Sequence, residues 1–175
     1  MTSRNYRNKL RQITTFIFDY DGVLTNGNIY LGDNGLIIRQ GNVKDGYAIQ
    51  LALKKNYRII VISGSDDENI RLRCSFLKIP YVFMGISDKA NFLKQFLSEQ
   101  GLRKEELLYM GDDIPDYKAM ELVGLKTCPA DAVHEIKSIS DYISPFRGGE
   151  GCVRDIIEQV LTIKGDWFDE EAHVW

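Results

Sequence analysis

The feature that most constrains this chain is an alternation. Short apolar runs, none longer than four residues, are separated by amphipathic stretches almost from end to end. That order is the pattern of strand-helix units whose strands lie parallel in one sheet, and it predicts an α/β fold with a doubly wound parallel sheet. Strands are expected over residues 13–18, 57–63, 81–84, 107–110 and 125–128, each reading as buried on both faces. Helical stripes follow between and after them. Ile70, Cys74 and Leu77 recur at helical spacing, and Val153, Ile156, Ile157, Val160 and Leu161 form one continuous apolar stripe. Gly101 after residues 89–100 and Gly124 after residues 116–123 read as helix stops, and Pro115 as a first-turn residue. The exception is residues 28–40, where Asp33-Asn34-Gly35 separates two short apolar runs and predicts a β-hairpin before the first helix of the sheet.

Composition narrows the function classes. At 175 residues, folding removes roughly 70% of the unfolded chain's surface from water, so neither metal nor disulfides are needed to hold the fold together. Residues 1–164 therefore read as a single domain. The 22 Lys and Arg against 25 Asp and Glu give a net charge of −3, without the basic excess of a nucleic-acid binder. Apolar runs of four residues fall far short of the roughly 20 that span a bilayer. The basic N-terminus (Arg4, Arg7, Lys9, Arg11) has no apolar stretch behind it and reads as a solvated first turn, not a secretory signal. Three scattered cysteines with apolar neighbours (Cys74, Cys128, Cys152) suit buried thiols in a reducing compartment, so a cytoplasmic location is expected. His134 and His173 are too isolated for a metal site. The tail 165–175 carries Trp167, Phe168 and Trp175 among acidic residues, which predicts docking either on this domain or on a neighbouring subunit.

Ligands of open parallel sheets bind beyond the carboxyl ends of the strands. The first strand runs into Asp19-Tyr20-Asp21-Gly22, the second into Ser63-Gly64-Ser65, and the 107–110 strand into Gly111-Asp112-Asp113-Ile114-Pro115-Asp116. Carboxylates at i and i+2 on extended chain point to one side, and with Asp112 nearby their mutual repulsion calls for a hard divalent cation, Mg²⁺ above all. Such a site suits phosphoryl transfer to a carboxylate. Ser63 offers a hydroxyl, and Lys89, opening a helix after Asp88, offers a cation for phosphoryl oxygens.

In their order, Asp19-Tyr20-Asp21-Gly22-Val23-Leu24-Thr25, Ser63-Gly64, Lys89 and Gly111-Asp112-Asp113-Ile114-Pro115-Asp116 resemble the four motifs of the haloacid dehalogenase superfamily of phosphatases. Within it, Asn42-Val43-Lys44-Asp45-Gly46 and Arg147-Gly148-Gly149-Glu150-Gly151 resemble the capless 3-deoxy-D-manno-octulosonate 8-phosphate phosphatase family. The resemblance implies Asp19 as nucleophile and Asp21 as acid and base. It implies Mg²⁺ held by the Asp19 carboxylate, the Asp21 backbone carbonyl and Asp112, with Asp113 and Asp116 behind them, and phosphoryl oxygens held by Ser63 and Lys89. Asp113 and Asp116 read equally well as caps of the helix near Pro115.

The resemblance also implies substrate contacts from Asn42, Val43, Lys44, Asp45 and Gly46, from Arg73 and from Lys89. It implies a homotetramer with packed hairpins and a phosphorylated keto-deoxy sugar acid as substrate. The gaps between motifs, residues 22–62 and 64–88, hold a hairpin and a helix, and a helix and a strand, with no room for a cap domain. The family's second motif continues Gly-Arg, whereas this chain has Gly64-Ser65. That difference keeps a nine-carbon acid 9-phosphate in view as an alternative substrate, and a non-catalytic subunit of the same fold as an alternative class. A signalling receiver domain shares an acidic Mg²⁺ site, but its phosphoacceptor ends a central strand after the first acidic pair, unlike Asp19 and Asp21 here.

Overall fold

In the computed structural model, which describes residues 5–173, the chain opens with α1 (Asn5–Leu10) and enters β1 (Thr15–Phe18). The hairpin follows as β2 (Tyr30–Leu31) and β3 (Ile37–Ile38), and then α2 (Val43–Lys54) and β4 (Arg58–Ile62). Next come α3 (Glu68–Phe76), β5 (Tyr81–Phe83), α4 (Lys89–Gln100) and β6 (Leu107–Met110). The chain continues through α5 (Tyr117–Met120), β7 (Leu125–Cys128), α6 (His134–Ile139), β8 (Tyr142–Ile143) and α7 (Cys152–Lys164). The main sheet runs β5-β4-β1-β6-β7-β8, every neighbour parallel, so the expected doubly wound sheet is present.

Alternate residues of the central strands feed two cores. Phe16, Phe18, Ile59 and Val61 meet Ile49 of α2 and Ile156, Ile157 and Val160 of α7 on one face. Ile17, Ile60, Ile62 and Tyr109 meet Leu93 of α4 and Met120 of α5 on the other. Each such side chain, fully buried, contributes about 1.5–3 kcal/mol, which is why strands without polar alternation occupy the middle of the sheet.

Several expectations need correction. The 81–84 run is half-exposed because β5 is the sheet edge, covered on fewer sides than β1 or β6. The helix expected over 116–123 is one turn, 117–120. Gly124 does not stop it through a left-handed backbone; it lets its N–H reach Lys104 O at 2.8 Å, where a Cβ would lie 2.7 Å from that oxygen. The N-terminal segment is more than a solvated turn: Leu10 is buried, Tyr6 stacks on Tyr142 at 4.9 Å, and Lys9 pairs with Asp141 at 2.8 Å. The strand β8 was not foreseen. Arg4 and Trp175 lie outside the described residues.

The tail as far as residue 173 docks on its own chain. Trp167 meets Tyr47 edge-on at 6.2 Å under the Arg154 guanidinium at 5.0 Å, Asp166 accepts from Tyr57 Oη at 2.7 Å, and Lys55 pairs with Asp169 and Glu171. Phe168 remains 80% exposed.

Candidate active site

The register of β1 with β6 sets Phe18 beside Met110, and the Asp19 N–H donates to Met110 O at 3.1 Å. The two acidic loops therefore leave the sheet side by side. Strand β4 lies on the other flank of β1 and delivers Ser63, buried, whose Oγ accepts from the Ser65 N–H at 3.1 Å. Asp19, Asp21, Ser63, Lys89, Asp112, Asp113 and Asp116 all line one cavity of about 440 Å³.

At its floor Lys89, 5% exposed, lies 2.7 Å from both Asp19 Oδ1 and Asp116 Oδ1. Burial alone would depress the ammonium, but Asp19 and Asp116 hold its pKa above the ordinary lysine range. Asp116 is fully buried and committed on both oxygens. Oδ1 accepts also from Tyr109 Oη at 2.8 Å, and Oδ2 accepts from the Asp112 N–H at 3.1 Å. The reading of Asp116 as a helix cap is thereby overturned: it braces Lys89 and the Asp112 backbone and makes no capping bond to α5. Asp113 is exposed, and its carboxylate accepts from the Ile114 N–H at 2.7 Å at the start of the turn before α5. Tyr109 was missed, although a hydroxyl in the middle of a wholly apolar strand signals a buried partner.

The site is short of positive charge. Asp19, Asp112 and Asp116 bring carboxylate oxygens within 4.8 Å of one another, and the one ammonium beside them pairs with Asp19 and Asp116. Burial, then Asp116, pushes the Asp19 carboxyl well above the ordinary range. Burial, then Asp116 and Asp113, pushes Asp112 up to about 7. Asp112 Oδ1 is buried without a hydrogen-bond partner among the described residues. An unpartnered buried carboxylate oxygen beside a second carboxylate is the setting a hard divalent cation fits. Because both oxygens of Asp116 are taken, Asp19 and Asp112 are the side chains that could hold it. Gly22 leaves the space, since a Cβ there would lie 2.0 Å from Asp112 Oδ2, and its φ of +84° suits glycine.

The residues expected to bind substrate are not brought into this cavity, apart from Lys89. Asn42, Val43, Asp45, Gly46 and Arg73 line a second cavity of about 460 Å³ under the hairpin, between α2 and α3, and Lys44 lines neither. Asn42 caps α2, accepting from the Lys44 N–H at 2.8 Å. Asp45 is 1% exposed, and its Oδ1 accepts from the Arg154 N–H at 2.7 Å, so one oxygen serves the start of α7. Val43 is exposed, and Arg73 passes over Gly46, where a Cβ would sit 2.9 Å from its Nη2. Between the two cavities stands Arg39, which sequence reasoning missed because nothing marks one arginine on a short hairpin. Its Nε donates to Asp21 Oδ1 at 2.7 Å.

A six-stranded parallel sheet whose strand ends gather two acidic loops, a serine and a lysine defines a haloacid dehalogenase-like hydrolase. The family model of that description matches residues 77–154. The 3-deoxy-D-manno-octulosonate 8-phosphate phosphatase of Salmonella typhi is 35% identical over 163 residues, 93% of this chain and 87% of that protein. The crystal structure of such a phosphatase from Moraxella catarrhalis, in complex with magnesium ion, phosphate ion and KDO, has a TM-score of 0.87 at 28% identity. It covers 91% of this chain and 92% of that one. The cobalt-bound deoxy-D-mannose-octulosonate 8-phosphate phosphatase of Haemophilus influenzae has a TM-score of 0.85 at 31% identity, covering 90% and 92%. The chain belongs to the 3-deoxy-D-manno-octulosonate 8-phosphate phosphatase family.

Proposed function

We propose that this chain is a Mg²⁺-dependent phosphomonoesterase that hydrolyses 3-deoxy-D-manno-octulosonate 8-phosphate. The observation that carries the reading is the cluster of Asp19 and Asp112 at adjacent strand ends with Lys89 at the start of α4, Asp112 Oδ1 having no hydrogen-bond partner among the described residues. The Asp19 carboxylate, the Asp21 backbone carbonyl and Asp112 would hold the metal, which when bound offsets charge between a carboxylate nucleophile and a phosphoryl dianion. Asp19 attacks phosphorus, the ester P–O bond breaks, and the Asp21 carboxyl gives its proton to the leaving alkoxide. Asp21, now a carboxylate, takes a proton from water, which attacks the aspartyl-phosphate and releases inorganic phosphate and free Asp19. Ser63 and Lys89 hold the equatorial phosphoryl oxygens, with Asp116 and Tyr109 keeping the Lys89 ammonium in place.

Residues 1–164 form the phosphatase domain in this reading and 165–175 its tail. In the neighbouring cavity, Asn42 and Arg73 offer polar groups to the sugar acid, with a guanidinium suited to its carboxylate. A homotetramer built through the hairpins fits the exposure there of Ile29, Tyr30, Leu31, Leu36 and Ile38. Three free cysteines fit a cytoplasmic location. No described helix is long and apolar enough to cross a membrane.

The test is phosphate release, with and without Mg²⁺, from octulosonate 8-phosphate, nine-carbon acid 9-phosphates and hexose phosphates. Preference for the octulosonate ester, abolished by chelation and by Asp19→Asn in a folded protein, is the expected result. Preference for a nine-carbon ester would reassign the substrate, and turnover by Asp19→Asn would remove the nucleophile.

A further inference from the structure

The hairpin is mostly exposed, yet the side chain of Arg39, which directly follows β3, is only 8% exposed and makes three polar contacts. Its Nε donates to Asp21 Oδ1 at 2.7 Å, its Nη1 pairs with Asp67, and its Nη2 donates to Ser65 Oγ at 3.1 Å. The base of the hairpin is fixed beside it, because Thr25 bridges Gly41 and the Asn26 N–H donates to Gln40 O at 3.2 Å. Thr25 Oγ1 also donates to Asp21, at 3.3 Å and to the same oxygen, Oδ1. Two anchors on Oδ1 set the plane of the carboxyl group and leave Oδ2 as the oxygen free to exchange a proton.

Ser65 is the residue that opens this arrangement. Its short side chain leaves room for a guanidinium that arrives from the hairpin and accepts from it. Arg39 also lines the second cavity while Asp21 lines the first, so the pair is the wall between them.

We propose that Arg39 is the positioning residue for Asp21: a guanidinium delivered from the hairpin that orients the acid-base carboxyl for proton transfer to the leaving group. The inference rests on the acid-base role of Asp21 given above. It does not require Arg39 to touch the substrate. A planar guanidinium with three separate partners does this where a point charge would not.

The test compares kcat/KM on octulosonate 8-phosphate, whose alkoxide needs a proton to leave, with kcat/KM on p-nitrophenyl phosphate, whose phenolate needs little help. Arg39→Ala is expected to lose on the order of 10²-fold on the sugar ester and less than about tenfold on the aryl ester. Combined with Asp21→Asn it should fall no further than Asp21→Asn alone on the sugar ester. Arg39→Gln should recover at least about tenfold when Ser65→Arg returns the guanidinium from the other side. Circular dichroism and Tm of each variant separate these effects from unfolding. Equal losses on both esters, additive losses with Asp21→Asn, or no recovery in the double variant of a folded protein would overturn the proposal. An impaired Asp21→Asn alongside an unimpaired Arg39→Ala would count against Arg39 alone and leave the acid-base role of Asp21 standing.

Discussion

Lys89 Nζ lies 2.7 Å from Asp116 Oδ1 with both side chains out of water, and the pair spans from the start of α4 to the turn before α5. Removing Asp116 leaves Lys89 with Asp19 as its remaining carboxylate partner but strands the buried Tyr109 hydroxyl and the Asp112 N–H, which costs about 1–3 kcal/mol. Asp116→Ala is expected to lose that much in urea unfolding. Asp113→Ala, at an exposed position on the same turn, should lose less than about 1.5 kcal/mol. Equal losses would reduce Asp116 to a cap.

Gly22 sets the space in front of Asp112. A methyl group there meets Asp112 Oδ2 at 2.0 Å on a backbone with φ of +84°. Gly22→Ala is expected to raise the Mg²⁺ concentration for half-maximal activity by roughly 10–100-fold, because the carboxylate must swing away. A Mg²⁺ titration of phosphate release checks it. An unchanged midpoint would mean that Asp112 does not reach the ion from its present position.

Asp45 carries a pH signature of stability. Burial raises its carboxyl from 3.8 to about 6, against the opposing N–H groups of α7 led by Arg154. The native state therefore binds the proton more tightly than the unfolded chain. Stability from this group is full below about pH 4 and is lost as pH rises to about 6, on the order of 2–3 kcal/mol in all. Asp45→Asn keeps an acceptor for the Arg154 N–H and carries no charge. The difference in unfolding free energy between wild type and Asp45→Asn should shift against wild type across pH 4–6 and stay level above it. Parallel curves would place the native carboxyl near its ordinary value.

Trp167 anchors the described part of the tail between Tyr47 and Arg154. Trp167→Ala should lower stability by about 1–3 kcal/mol, less than for a fully buried tryptophan because the ring is partly exposed. Differential scanning calorimetry measures this. An unchanged Tm would mean that the tail contributes contact without stability.

What was legible in the sequence was whatever depends on local pattern. The apolar runs became β1, β4 and β6 because strands buried on both faces tolerate little polar alternation, while β7 carries Lys126 and Thr127. The loops after them carry the acidic pairs because ligands gather at carboxyl ends. What escaped was decided by distance along the chain. Asp45 reads as a ligand in its motif, yet its partner, the Arg154 N–H, lies 109 residues away. Arg39 finds Asp21, Ser65 and Asp67 on two other loops, and no spacing rule joins them. Strand β8 is two residues long, too short to show a period.

The three cysteines are all buried, with thiol pKa values raised by that burial, Cys74 up to about 11. One belongs to α3, one to the end of β7 and one to the start of α7. A thiol meets an alkylating reagent only when its own element opens and its thiolate forms. The native protein thus holds three silent internal clocks, and the order in which iodoacetamide marks Cys74, Cys128 and Cys152 would read out the order in which two covering helices and one strand of the sheet come loose.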